Sequence, residues 1–204
     1  MSLAERLHQS YGFERRVRVL SRHIESLLPK DASVLDVGCG DGTLDSLLAS
    51  QRRDIAIHGI DVMVRPGALI PVREFDGFTI PHADDSFDCV VFVDVLHHIQ
   101  DATQLLKEAK RVARRFIIIK DHRRNGLFAR ETLRFMDDVG NKRFGVDLPY
   151  HYWSHREWHD AFHELGLEIR QWNQSLGIYP WPASLLFDRG LHFVAQLGAK
   201  PTSQ

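Results

Sequence analysis

Cysteine is scarce in this chain of 204 residues, which contains only Cys39 and Cys89. The two form no CxxC pair and no disulfide framework, so the expected compartment is a reducing cytoplasm. Long apolar runs are missing too. No stretch approaches the ~18 to 20 residues of a membrane span, and Met1 to Ser10 lacks the apolar centre of a signal peptide. Neither sign of charge is in excess, the net charge being −1. Bulk electrostatics therefore give no reason to expect nucleic acid or an anionic membrane as a partner. Repeats and low-complexity tracts are also lacking. What remains is 44% hydrophobic and 26% charged, an ordinary globular composition with enough chain for one sizeable core.

Hydrophobic periodicity organises that chain. Two opening helices are expected, Leu3–Gln9 and Glu14–Leu28, the second with Val17, Leu20 and Ile24 at helical spacing before Pro29. Strands are expected at Ser33–Val37, Ile55–Ile60, Gly77–Ile80 (weakly), Phe87–Val93 and Phe116–Lys120, with helices at Thr43–Ala49 and Asp101–Arg114. Cys89-Val90-Val91-Phe92-Val93 is apolar throughout, as suits a strand buried on both faces of a parallel sheet. After Asp121 the alternation breaks. A helix near Leu127–Met136 and a loop lead to a helix at His155–Leu165, then to strands at Leu167–Trp172 and Leu191–Leu197. The expected fold is α/β: a Rossmann-like, doubly wound, mostly parallel seven-stranded sheet with a C-terminal antiparallel hairpin. One domain is expected over 1–204, with N-terminal helices (1–30), a cofactor-binding core (31–120), an insertion or cap (121–153) and a C-terminal helix and strands (154–204).

The densest chemical signal is Val34-Leu35-Asp36-Val37-Gly38-Cys39-Gly40-Asp41-Gly42. Glycines allow a tight strand-to-helix turn and a close approach of backbone to ligand. Such turns line the crevice at the carboxyl ends of the strands, where open α/β sheets bind ligands. A dinucleotide fingerprint reads GxGxxG; this one reads GxGxG, with Asp36 just before the first glycine. A carboxylate aimed into the crevice repels a pyrophosphate and suits a cationic ammonium or sulfonium. Gly59-Ile60-Asp61-Val62 closes the second strand, where an acidic side chain can accept both hydrogen bonds from a ribose. In Phe75-Asp76-Gly77-Phe78, Asp76 can accept from an adenine amino group and the Gly77 or Phe78 N–H can donate to a ring nitrogen; Asp76 is equally suited to a turn.

Together these segments, with Ile80-Pro81-His82-Ala83-Asp84-Asp85-Ser86-Phe87-Asp88 and Val93-Asp94-Val95-Leu96-His97-His98-Ile99, resemble the class I S-adenosylmethionine-dependent methyltransferases over about Val34–Lys120. The resemblance implies S-adenosyl-L-methionine as cofactor and S-adenosyl-L-homocysteine as product. It implies cofactor contacts from Asp36, Gly38, Cys39, Gly40, Gly42, Asp61, Val62, Asp76, Gly77 and Asp94. His97 and His98 are the candidate catalytic bases, although packing and helix capping explain histidines there equally well. The family's Pro-Gly-Gly turn before the fifth strand is replaced by Val112-Ala113-Arg114-Arg115-Phe116. An Asp- or Asn-Pro-Pro-Tyr motif is absent, which argues against base and glutamine amines as acceptors. A small or lipid-like metabolite, methylated at oxygen or carbon, is the expected acceptor. Competing readings are a cofactor-binding regulatory or partner protein without transferase activity, and an NAD-linked oxidoreductase.

Three further patterns are present. His151, His155, His159 and His163 recur every four residues, but His155-Arg156-Glu157-Trp158-His159 misplaces the glutamate of a zincin, so a packed or solvated helix face is expected and no metal. Lys107–Arg134 holds ten Lys or Arg against three acids, either a solvated face or a rim for an anionic substrate or an acidic carrier protein. Tyr150, Tyr152, Trp153, Tyr179 and Trp181 can line a pocket or cover the sheet, and Tyr11 can close over the cofactor. Substrate choice is expected in Asp121–Trp153 and Gln174–Phe187.

Overall fold

A computed structural model describes residues 3–141 and 150–199, with side chains described over 12–139 and 150–199. In chain order the elements are α1 (Leu3–Glu25), β1 (Ser33–Val37), α2 (Thr43–Gln51), β2 (Ala56–Asp61), β3 (Val72–Glu74), β4 (Phe87–Val93), a 3-10 turn (Leu96–His98), α3 (Ala102–Val112), β5 (Ala113–His122), α4 (Ala129–Asn141), α5 (His155–Glu164), β6 (Leu167–Asn173), α6 (Ser184–Phe187) and β7 (His192–Ala199). The strands form one sheet in the order β3-β2-β1-β4-β5-β7-β6. The first five are mutually parallel; β7 runs antiparallel between β5 and β6. This is the expected Rossmann-like sheet with its C-terminal antiparallel hairpin.

Period-two alternation in the central strands feeds two cores. Leu35, Val37, Val90, Phe92, Ile117 and Ile119 face one side, with α3 and the Trp158 and Phe162 side chains of α5. Val34, Cys89, Val91 and Ile118 face the other, with Leu20 and Ile24 of α1 and Leu48 of α2. β4, central between β1 and β5, is apolar along nearly its whole length because both its faces are covered. Asp101 caps α3 by accepting the Gln104 N–H (2.9 Å), and Ala102, Leu105, Leu106, Ala109 and Val112 form its buried stripe.

Several boundaries differ from expectation. The two opening helices are one continuous helix, because a glycine such as Gly12 inside a helix costs only ~1 kcal/mol; the side chain of Tyr11 lies outside the described residues. The third strand falls at Val72–Glu74 and not at Gly77–Ile80. Asp76 Oδ1 accepts the N–H groups of Phe78 (2.8 Å) and Thr79 (2.7 Å), and Gly77 has φ +81°, so this segment closes a turn instead of joining the ladder. α3 passes straight into β5 at Ala113, the position where a turn was missing from the sequence. Part of the loop expected before Tyr150 lies outside the described residues. Among the described residues no helix is long and apolar enough to cross a membrane.

Leu105 is fully buried in the first core. Leu105→Ala is expected to cost ~2 to 5 kcal/mol in urea unfolding, the usual range for truncating a core leucine. The exposed Lys107→Ala is expected to change stability by less than ~0.5 kcal/mol.

Candidate functional site

The carboxyl ends of β1, β2 and β4 lie along one edge of the sheet. At β1, Gly38, Gly40 and Gly42 take φ of +80°, +63° and +72°, left-handed values that disfavour a side chain. A Cβ at Gly38 would lie 2.5 Å from Val95 Cγ2, and one at Gly42 2.5 Å from Ile70 Cγ1, so the turn is also sterically closed to larger residues. The Gly38 N–H donates to Ile60 O (2.7 Å), tying the turn to β2.

Asp36 is buried at the end of β1, and so is Asp45 in the first turn of α2. Desolvation, followed by the neighbouring Asp45, raises the Asp36 carboxyl well above its ordinary range. Desolvation likewise raises Asp45 to about 6, against the opposing effect of its hydrogen bond with Asp36. The two buried carboxyls therefore share a proton. Asp36 Oδ1 and Asp45 Oδ2 are buried without a hydrogen-bond partner. Such an arrangement is unfavourable until a cation reaches it. Cys39, beside these acids, has its thiol pushed up by burial and by Asp36, and stays protonated.

Asp61, at the end of β2, accepts the Gly40 N–H at Oδ2 (2.8 Å) and the Met63 N–H at Oδ1 (3.0 Å). Val62, Met63, Val64, Leu69 and Phe78 are exposed apolar side chains in the segments that follow β2 and β3. Val62 Cγ1 lies 3.2 Å from a Cβ built on Gly77. Asp76, in contrast, is exposed and engaged by its own turn, which also holds the Phe78 N–H.

The end of β4 meets a second, buried polar group. Asp94 takes φ +56° and is bound by Arg16 of α1 and Lys120 of β5; the two cations hold its carboxyl well below the usual range despite burial. Asp121 is fully buried and accepts the Leu96 N–H (3.0 Å), the His122 N–H (2.6 Å) and the His97 Nδ1–H (2.6 Å). Although burial opposes it, Asp121 raises His97 to about 10, with further help from Asp137. His98 behaves oppositely: burial and its His97 neighbour lower it to about 4, and its Nδ1 has no partner. Tyr152 donates to Asp137 and stacks on His97, with ring centroids 5.7 Å apart.

Sequence reasoning named Asp36, Asp61, Asp94, His97 and His98, and the fold brings all five to the carboxyl edge of the sheet. It missed Asp45, Arg16, Lys120, Asp121, His122, Asp137 and His192. A readable signal was the polar triplet Lys120-Asp121-His122 directly after apolar Ile117–Ile119, where a parallel strand must end at the crevice. His155, His159 and His163 lie on α5, whereas Ser154 caps that helix in a capping box with Glu157 and leaves His151 outside it. Lys110, Arg111, Arg114, Lys120, Arg123 and Arg124 each bind a carbonyl, hydroxyl or carboxylate. Trp153 packs on Trp158 (4.7 Å), whereas Trp181 is exposed.

A family profile described as a methyltransferase domain matches residues 9–171. The chain belongs to the class I S-adenosylmethionine-dependent methyltransferases. It is 26% identical over 131 residues to the 27-O-demethylrifamycin SV methyltransferase of Amycolatopsis mediterranei, a match covering 54% of this chain and 48% of that protein. The chain spans no more than about half the length of the curated relatives it matches. Its fold is similar to that of a Haloferax volcanii methyltransferase solved with the Trm112 activator (TM-score 0.70, 18% identity, 95% of this chain and 94% of that one). It is also similar to a methyltransferase of Thermotoga maritima (TM-score 0.65, 22% identity, 96% of each chain).

The Asp36–Asp45 pair makes stability depend on pH in a defined direction. A carboxyl raised in the folded state binds its proton more tightly there, so stability is lost as pH climbs from about 4 through about 6. Asp45→Asn is expected to flatten that decline and to raise stability at pH 7 by ~0.5 to 2 kcal/mol in the ligand-free protein. Parallel pH-denaturation curves for the two proteins would refute this assignment.

Proposed function

We propose that this methyltransferase acts on a small or lipid-like acceptor at oxygen or carbon. S-adenosyl-L-methionine fits the residues present. The partnerless oxygens of Asp36 and Asp45 suit its ammonium. Asp61 would hold ribose hydroxyls, and Val62, Gly77 and Phe78 would flank the adenine. When bound, the cofactor supplies an electrophilic methyl group on a sulfonium. Asp94, engaged by two cations, orients the end of β4 instead of meeting the cofactor's amino group. The paired acids weigh against an NAD-linked reading, since a pyrophosphate would meet them with like charge.

The acceptor class rests on one observation. Phe128, just before α4, and Phe135, Val139, Leu185 and Leu186 on α4 and α6 are exposed apolar side chains. The two helices meet through Phe135 stacked on Phe187 (6.4 Å), and α4 reaches the buried histidines through Asp137. An exposed apolar surface leading to a polar cluster suits an acceptor with a hydrophobic body and a reactive oxygen or acidic carbon. A small-molecule acceptor, free or on an acidic carrier protein, satisfies this reading. The direct test is methyl transfer from labelled cofactor to a panel of phenols, enols and hydroxylated lipids. Transfer only to amines, or no transfer at all with tight cofactor binding, would refute it, the second outcome favouring a non-catalytic partner protein.

Asp61→Ala is expected to weaken S-adenosylhomocysteine binding by ~1 to 3 kcal/mol in calorimetric titration, because the partner groups are left unpaired; unchanged affinity would remove Asp61 from the site. His98 offers a partnerless ring nitrogen at the acceptor end of the crevice. His98→Gln is expected to lower kcat ~100-fold with cofactor affinity intact, in keeping with loss of a positioned base. Full turnover in that variant would leave His98 a packing role.

A further inference from the structure

We infer that the face formed by α4 and α6 attaches the protein to an anionic lipid bilayer, lying in the plane of its headgroups. The inference extends the reading of an acceptor with a hydrophobic body, and the attachment can be measured without any acceptor.

The face begins at a strained turn. Gly126 takes φ +105° and Phe128 φ +55°, the second a left-handed conformation that bulky side chains disfavour. The Ala129 N–H closes the turn on Gly126 O (3.3 Å). Leu127 and Phe128 are left 75% and 64% exposed, and neither belongs to a core cluster. Straining the backbone to hold two apolar side chains in water brings the isolated fold nothing.

α4 continues the face. Ala129, Leu133 and Asp137, four residues apart, are buried against the protein. Phe135 and Val139 are exposed on the opposite stripe, in line with Phe128 seven residues before Phe135. The α6 segment lies alongside, with Phe187 stacked on Phe135 and Arg189 donating to Thr132 Oγ1 (3.1 Å). It adds the exposed side chains of Trp181, Leu185 and Leu186. Single apolar residues are ordinary on a protein surface, whereas a contiguous group of this size marks an interaction surface.

Charge selects the occupant. Within 126–139 and 180–190 the exposed charged residues are Arg130, Arg134, Arg189 and Glu131, three cations against one anion in a chain of net charge −1. Arg130 and Arg134 stand one turn apart on a flank of the apolar stripe. From there their heads can reach lipid phosphates while their stems stay on apolar surface. The indole of Trp181 suits the same boundary, apolar at one end and wet at the other. A second copy of the chain would set these arginines against one another. An acidic protein would match the arginines and leave the apolar side chains against a charged surface. Asp137, on the inner side of α4, meets His97 and His122, so an acceptor dissolved in the bilayer would be one helix away from the buried histidines.

The test is sedimentation of the purified chain with vesicles of phosphatidylcholine alone and of phosphatidylcholine mixed with phosphatidylglycerol. Binding to the mixed vesicles that weakens as salt rises is expected, with little on the neutral ones. Quenching of tryptophan fluorescence by brominated lipid is expected in the wild type and largely lost in Trp181→Phe, since the other three tryptophans are buried or half-buried. Arg130→Gln with Arg134→Gln is expected to weaken vesicle binding ~30-fold, and Leu185→Gln with Leu186→Gln to abolish it. Phe128→Gly relieves the turn, so thermal stability is expected to hold or rise while vesicle binding falls ~10-fold. S-adenosylhomocysteine affinity is expected to stay unchanged in every variant, which shows that the fold is kept. A wild-type chain that binds S-adenosylhomocysteine and does not sediment with mixed vesicles would overturn the attachment and leave a freely diffusing acceptor. Self-association without vesicle binding, removed by Leu185→Gln with Leu186→Gln, would overturn it in favour of a second copy. Vesicle binding without methyl transfer to any hydroxylated lipid would refute the acceptor reading and leave the attachment standing.

Discussion

Parallel pairing of β1, β2, β4 and β5 is the constraint on which the rest of the molecule depends. Strands that run the same way end on the same side, and the register fixes how far each reaches: Asp36 stands beside Val91, and Val93 beside Lys120. Several of the polar side chains described above lie at or just past the carboxyl ends of these strands. Asp36, Asp61, Asp94, Asp121 and His122 therefore share an edge without any contact between them being needed to bring them there. Their hydrophobic predecessors on the same strands do that work by packing under α1, α2, α3 and α5.

Burying so many ionisable groups sets the character of the two halves of this edge. On the β4–β5 side, Asp94 faces Lys120 and Arg16, and Asp121 holds His97, so charges are matched and the group is ordered. On the β1 side, Asp36 and Asp45 have only each other, and two of their oxygens lack partners. The first half has counter-charges for its carboxylates; the second has none. Incomplete polar satisfaction inside an otherwise well-packed fold is where function is expected to lie.

The parts legible in the sequence were those governed by local rules. The apolar run of β4, the glycine turn after β1 and the aspartate closing β2 each follow from short-range periodicity or backbone conformation, and each is where expected. The third strand was misplaced because a single side chain, Asp76, takes the N–H groups that a strand would need. The helical break before Glu14 was expected from local composition and overridden by continuity of α1. The buried histidine group was not legible. His122 meets His192 only because β7 pairs antiparallel with β5 in one register, and Asp137 arrives from a separate helix. No spacing in the chain encodes those meetings.

The position of β7 has a consequence for how the molecule is made. This strand is the last element of the described chain, yet it lies inside the sheet, between β5 and β6. As residues emerge in order during synthesis, β1 to β5 can assemble first, with one edge of β5 left bare. β6 has no neighbour until β7 slots in beside it. The β1–β2 side of the sheet edge can thus take shape early, whereas the β4–β5 side waits for β7 to bring His192 into line with His122. A ribosome-bound chain stopped before that point would carry the Asp36–Asp61 side of the edge without its histidine side completed.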